Sequence, residues 1–301
     1  MANAAQANAV QPPIDMKKEN EFLICIDSNG CAFDTMEIKH KECFIPVIIK
    51  EWDLQAISKY VREAAEFVNL YSKWRGINRF PALINVMDLL ADRIEVKKRG
   101  FKVPNMDSLR KWVEETTKLS NPSLEDRVKE TGDPILIKSL KWSEAVNEAI
   151  AKLVYGIPPF PFVRESLQKI INHADVIVVS ATPGEALERE WKEHDIAKYV
   201  KVIAGQEMGT KAECIGFARE GRYDRGTILV IGDAPEDLKA ARANNAHFYP
   251  INPGNEDESW ERFYYEAFDR FINGRYAGAY EEKLICEFDK YIPSIPPWKG
   301  K

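Results

Sequence analysis

The chain lacks any apolar run close to the roughly 20 residues a membrane-spanning helix requires, so no membrane role is expected. It has no Cys-x-x-Cys pair, and its five cysteines, at positions 25, 31, 43, 214 and 286, are too few and too scattered for a disulfide framework. Reduced thiols in a cytoplasm are the simple reading. Four scattered histidines show no metal-ligand spacing and give no support to zinc. Basic charge is not in surplus either, with 42 Lys and Arg against 47 Asp and Glu and a formal net charge of −5, which excludes a general nucleic-acid binder. The first residues are small, polar and rich in alanine, without the basic start and apolar centre of a secretory signal. They read as a flexible leader over 1–19. No internal repeat is present.

What is there is a set of short apolar strands that each end in chemistry. Phe22 to Ile26 is uninterrupted and β-branched at its end, as in a buried parallel strand, and it delivers Asp27 to a turn marked by Asn29 and Gly30. A second run, Asp175 to Val179, ends at Ser180 and is followed by Ala181, Thr182, Pro183 and Gly184. A third, Thr227 to Ile231, runs into Gly232, Asp233, Ala234, Pro235, Glu236 and Asp237 and then a helical pattern. Between the last two, the loop Gly205 to Thr210 carries Lys211 into a helix start. In open α/β sheets, ligands bind beyond the carboxyl ends of the strands. Parallel neighbours would therefore bring these groups together.

In this order, the four segments resemble the motifs of the haloacid dehalogenase superfamily, most of whose members cleave phosphate esters. The resemblance covers about 21–36 and 158–255. It implies a Rossmann-like three-layer α/β core with a parallel sheet and an inserted helical cap of the superfamily's first structural class. It implies Asp27 as the nucleophile of an aspartyl-phosphate intermediate, Ser180 and the adjoining Ala181 against a phosphoryl oxygen, and Lys211 neutralising charge on the phosphate and Asp27. The implied cofactor is Mg²⁺, an oxygen-loving ion suited to bridging a carboxylate and a phosphate, held by the side chains of Asp27 and Asp233, the backbone carbonyl of Asn29 and, completing or orienting the shell, Asp237. Each residue has a structural reading beside this one: Ser180 as a helix cap, Lys211 as a solvated lysine, Asp237 as a first-turn acid that favours the helix dipole. Cys31, near the proposed site, is a packing thiol or a reactive one.

Asn29 departs from the pattern. Most phosphatases of the superfamily carry a second Asp two residues after the nucleophile to protonate the leaving oxygen, and an amide has no titratable proton. Dehalogenation fits poorly, because the acidic fourth motif is intact. Phosphorus–carbon bond hydrolysis keeps the metal motif but needs a cap lysine, for which Lys73 is the nearest candidate along the chain. A weakly active or inactive protein that binds a phosphorylated ligand is the remaining alternative.

From 37 to 155 the chain is rich in helix formers, with apolar recurrence at helical spacing over 53–71, 81–98, 107–119 and 140–153, and with Asp53 and Asp107 as candidate N-caps. This stretch is expected to be the cap, flanked by a core over 20–36 and 156–301. Within it, Arg75, Asn78 and Arg79 lie between two helices and are candidates to bind an anionic part of the substrate. The prolines around 158–161 suit a hinge boundary. Trp260, Phe263, Tyr264, Phe268 and Phe271 form a packing stripe, on a tail that covers the core or a subunit contact. The expected partner is a small phosphorylated metabolite, the expected chain a monomer or homodimer.

Overall fold

The computed structural model describes residue 14 and residues 16–299, so residues 1–13 and 15 of the expected leader lie outside it. Five parallel strands form one sheet: β1 (Phe22–Ile26), β2 (Ala174–Val179), β3 (Val202–Ala204), β4 (Ile228–Gly232) and β5 (His247–Pro250), in the order β3-β2-β1-β4-β5. The strand that carries Asp27 is thus central. Its register sets Ile26 beside Val178 of β2 and Ile231 of β4, so that the chain emerges from all three strands at nearly the same level.

Strand alternation divides the side chains between two helical layers. Ile24, Ile26, Val176, Val178, Leu229 and Ile231 face the helix Val163–Ile170 and the aromatic residues Trp260, Phe263, Phe268 and Phe271, all buried. Leu23, Cys25, Ile177, Val179, Ile228 and Val230 face the helices Lys211–Arg219, Pro235–Ala243 and Ala279–Tyr291. The aromatic stripe is therefore packing against the sheet. The result is a three-layer Rossmann-like α/β fold.

A separate apolar cluster gathers residues between Ile45 and Val146 in the helical insertion. Its first stretch, unanticipated from sequence, is continuous from Thr35 through Ile38, a widened turn over Lys39–Phe44 and then Ile45–Glu51. The widening has a cause. Pro46 has no N–H to give the carbonyl four residues back and its ring crowds that oxygen. The turn opens so that the Ile45 N–H reaches His40, five residues back. The helices Ser58–Asn69, Arg79–Asp92, Asp107–Glu115 and Pro134–Leu153 match the expected periodic stretches, with Asp133 capping the last through Ile135 and Leu136. A further helix, Asn121–Thr131, has only Leu124 buried, which is why apolar periodicity does not reveal it.

Two cap assignments are corrected. Asp53 has a positive φ of 57° and precedes a short turn of 3₁₀ helix, and Asp107 is already inside the first turn of its helix, with its N–H held by Asn105. At the carboxyl end, the chain leaves the helix Ala279–Tyr291 and crosses to the insertion. There Trp298 lies edge-on to Phe67 at 5.8 Å and its ring sits 4.5 Å from the Arg93 guanidinium.

Candidate active site

The turn after β1 is built by one carbonyl. Ser28 O accepts from the N–H groups of Ala32 at 2.9 Å and Phe33 at 3.0 Å, folding 28–33 into a tight loop over the strand ends. Gly30 is required there: its φ is +80°, and a Cβ would lie 2.5 Å from Arg75 Nη2 and 2.8 Å from Asp233 Oδ2. Gly232 answers a similar demand at the end of β4, where a Cβ would meet Asp237 Cγ at 2.3 Å. Asp237 Oδ2 accepts the Ala234 N–H at 3.1 Å, which locks the acidic turn onto the helix that follows.

Asp27, Asp233 and Asp237 converge, each offering an oxygen within 4.8 Å of the others, and all three are buried. Lys211, capped into its helix by Thr210, places Nζ 2.8 Å from Asp27 Oδ2 and 2.5 Å from Asp237 Oδ1. Arg75 enters from the insertion with its side chain buried and donates from Nε to Asp233 Oδ2 at 2.6 Å and from Nη1 to Leu70 O at 2.8 Å. Asp233 Oδ1 is buried and has no hydrogen-bond partner among the described residues. An orphaned carboxylate oxygen facing two further carboxylates is the donor set a hard divalent cation takes. The residues therefore fit a metal.

Burial pushes Asp233 up to about 6, with Arg75 opposing and Asp27 adding to the rise. Burial likewise pushes Asp237 up to about 7, against the pull of Lys211. For Lys211, burial acts downward, but Asp237, Asp27 and Asp233 outweigh it and hold the ammonium above its ordinary value. Folded-state carboxyls raised from 3.8 to about 6 and about 7 bind protons more tightly than in the unfolded chain, so the stability they contribute is present at low pH and lost as pH rises through that window. A cation that replaces those protons should therefore stabilise more at higher pH. We expect the Mg²⁺-induced rise in Tm to be small near about pH 5 and to grow through about pH 6 to 8. Thermal melts with and without Mg²⁺ across that range check it, and a pH-independent shift would overturn it.

Asn29 is fully committed. Its Nδ2 donates to Thr182 Oγ1, and its Oδ1 accepts from Thr35 Oγ1 at 2.6 Å and from Lys39 Nζ at 2.7 Å. Lys39 is largely withdrawn from water: burial lowers its ammonium from the ordinary value, while Glu190 and Asp27 act the other way. Beneath the loop, the buried Trp191 donates from Nε1 to Ser28 Oγ at 3.0 Å, and Ser28 Oγ donates to Glu190 at 3.1 Å. Lys39 and Glu190 were not singled out from sequence. A helix widened in answer to Pro46 was the signal available for Lys39.

Ser180 is buried at the end of β2, where its Oγ accepts from the Thr182 N–H at 3.4 Å, and Ala181 is exposed beside it. The structure does not bring all the insertion candidates to the carboxylates. Arg75 is there, spent on Asp233. Asn78 caps Arg79–Asp92 by accepting the Phe80 N–H at 3.0 Å and donates to Leu119 O. Arg79 donates to Ser143 and Asn147 within the insertion and stacks over Phe44 at 5.2 Å. Lys73 pairs with Asp289 away from the carboxylates. Cys31 is buried, and burial with the acids around it raises its thiol far above the ordinary value, so it is a packing thiol.

A central parallel strand ending in a buried carboxylate, two acids from the end of the neighbouring β4 and a lysine from the helix that follows β3 meet in one site at the carboxyl edge of a Rossmann-like sheet. A sequence-family profile described as haloacid dehalogenase-like hydrolase matches residues 87–251, more than half the chain, and the protein belongs to that family. Ser180, Lys211, Asp233 and Asp237 fall inside the matched span, and Asp27 precedes it. Among solved structures, a haloacid dehalogenase superfamily hydrolase of subfamily IA from Geobacter sulfurreducens is 15% identical, with 76% of this chain and 86% of that chain covered and a TM-score of 0.40. A haloacid dehalogenase-like family hydrolase from Streptococcus pneumoniae is 13% identical, with 80% and 90% covered and a TM-score of 0.42. A 2-haloacid dehalogenase from Pseudomonas syringae is also 13% identical, with 75% and 84% covered and a TM-score of 0.38. Likenesses this distant carry no argument about substrate. No curated protein sequence matches the chain.

Proposed function

We propose that the protein is a Mg²⁺-dependent phosphohydrolase acting on a small phosphorylated metabolite through a phosphoryl group carried on Asp27. The observation that supports it most is the convergence of Asp27, Asp233 and Asp237 around Lys211, with Asp233 Oδ1 left free. Asp27, Asp233 and Asp237, with the backbone carbonyl of Asn29, would hold the metal, which would supply charge neutralisation between carboxylate and phosphate. Lys211 orients Asp27 Oδ2 and screens it, so that a carboxylate can approach an anionic phosphoryl group. Ser180 presents a hydroxyl at the neighbouring strand end to a phosphoryl oxygen. The helical stretch 37–155 is the cap that covers the strand ends, and 20–36 with 156–301 is the core.

Phosphate release by the full chain across sugar, nucleotide, acyl and aryl phosphates, with Mg²⁺ and then with a chelator, tests the reading. Metal-dependent release from at least one member is expected, and silence on every member would overturn it. If the silent chain gained activity on Asn29→Asp, it would be a binding protein on a disabled scaffold. A second reading, phosphorus–carbon hydrolysis, gains from the position of Lys39 beside the site rather than from Lys73. It requires a Schiff base, which borohydride would trap with phosphonoacetaldehyde.

A further inference from the structure

Lys39 hangs from the first widened turn of the insertion and is drawn over the strand ends by Asn29 Oδ1 at 2.7 Å. Among the described residues it has a hydrogen-bonding amide but no carboxylate in ion-pair contact. A partly desolvated ammonium whose attracting carboxylates, Glu190 and Asp27, act on it from beyond ion-pair contact favours the arrival of an anion. Its place decides which anion. Asp27 rises from the sheet, and displacement at phosphorus runs in line, so the leaving oxygen departs on the side away from the strand, toward the insertion. An alkoxide leaving there would have to take a proton from the Lys39 ammonium itself, since Asn29, bonded to Thr182, Thr35 and Lys39, has none to give, whereas a carboxylate or phosphate would need only its charge.

We propose that Lys39 receives the leaving group as an anion, and that the site takes anhydrides of phosphoric acid, acyl phosphate or pyrophosphate in type, in preference to alkyl phosphate esters. The inference rests on the phosphohydrolase reading given above. An Asp27 oxygen bonds to phosphorus as the anhydride P–O bond breaks, and the departing carboxylate or phosphate keeps the electron pair beside the Lys39 ammonium. Water then attacks phosphorus, the bond to Asp27 breaks, and both water protons end on the released phosphate as H₂PO₄⁻. No side chain has to donate a proton in either step. That is the chemistry an amide at position 29 leaves open.

Steady-state phosphate release from acetyl phosphate, pyrophosphate and glycerol phosphate, by the native chain, Lys39→Met and Lys39→Arg, tests the proposal. The native chain should favour an anhydride over glycerol phosphate. Lys39→Met should lower kcat on that anhydride by roughly 10²-fold with little change in KM, as for loss of one preorganised oxyanion donor. Lys39→Arg should recover part of the loss, and whichever anhydride leads identifies the leaving group as carboxylate or phosphate. Preference for glycerol phosphate with Asp27 still required would overturn this inference and leave the phosphohydrolase reading standing. Equal loss on all substrates in Lys39→Met, or a trapped Lys39 adduct with phosphonoacetaldehyde, would also overturn it. Silence of the native chain on these three, with release from a sugar, nucleotide or aryl phosphate, would overturn this inference alone, and silence on the whole wider panel would overturn both.

Discussion

Asp27→Asn is expected to lower phosphate release by about 10⁴-fold or more, the scale at which removal of a covalent nucleophile acts. The substitution keeps the side-chain shape, and Lys211 keeps Asp237 at 2.5 Å, so the helix that carries the lysine stays anchored. An amide oxygen is too weak a nucleophile to displace an anionic leaving group, and its phosphoryl adduct cannot form as a mixed anhydride. Two readouts separate chemistry from folding. The circular-dichroism spectrum should match the native chain, and acid-quenched mass spectra should show one added phosphoryl group on the native chain and none on the variant. A variant that turned over at a comparable rate would remove Asp27 from the nucleophile's role.

The strand ends were legible because their chemistry is local. Asp27, Ser180 and Asp233 each lie within two residues of an apolar run, and such runs, parallel and central, leave one place for the following residues to go. Lys211 could be read for the same reason, as the first residue of a helix capped by Thr210. The helical insertion was read by periodicity, which finds helices with a broad apolar face and misses polar ones. The helix Asn121–Thr131 shows the limit. Its signals, Ser120 as cap and Gly132 with a φ of +62° at its end, lie in capping chemistry rather than in hydrophobic spacing.

What sequence could not reveal is which cations the insertion delivers. Lys39 sits among Glu37, Lys41 and Glu42, a run that looks like a solvated face, and only the continuous helix through Pro46 turns it toward Asn29. Arg75 was expected against an anionic part of the substrate, whereas its guanidinium is taken by Asp233. Asp233 is 158 residues away, and the pairing depends on how the insertion packs over Gly30.

That pairing carries the second large expectation, that Arg75→Met destabilises the metal-free protein by about 3–5 kcal/mol, the usual cost of leaving one member of a buried ion pair alone. The guanidinium is the direct charge partner of Asp233 Oδ2, and both side chains are about 1% exposed, so water cannot take its place. The loss should depend on pH. With burial already holding Asp233 up to about 6, removal of Arg75 raises it further, so the carboxyl is neutral and the deficit smaller in mild acid, and the deficit widens as the group ionises at higher pH. Mg²⁺ should narrow it as well, because a cation at Asp233 supplies the charge that the guanidinium supplied. Denaturant unfolding of both proteins at two pH values, with and without Mg²⁺, reads all three effects. A deficit that Mg²⁺ leaves unchanged would mean that Asp233 does not ligate the ion, and would make Arg75 a structural clasp between insertion and sheet rather than a neighbour of the metal site.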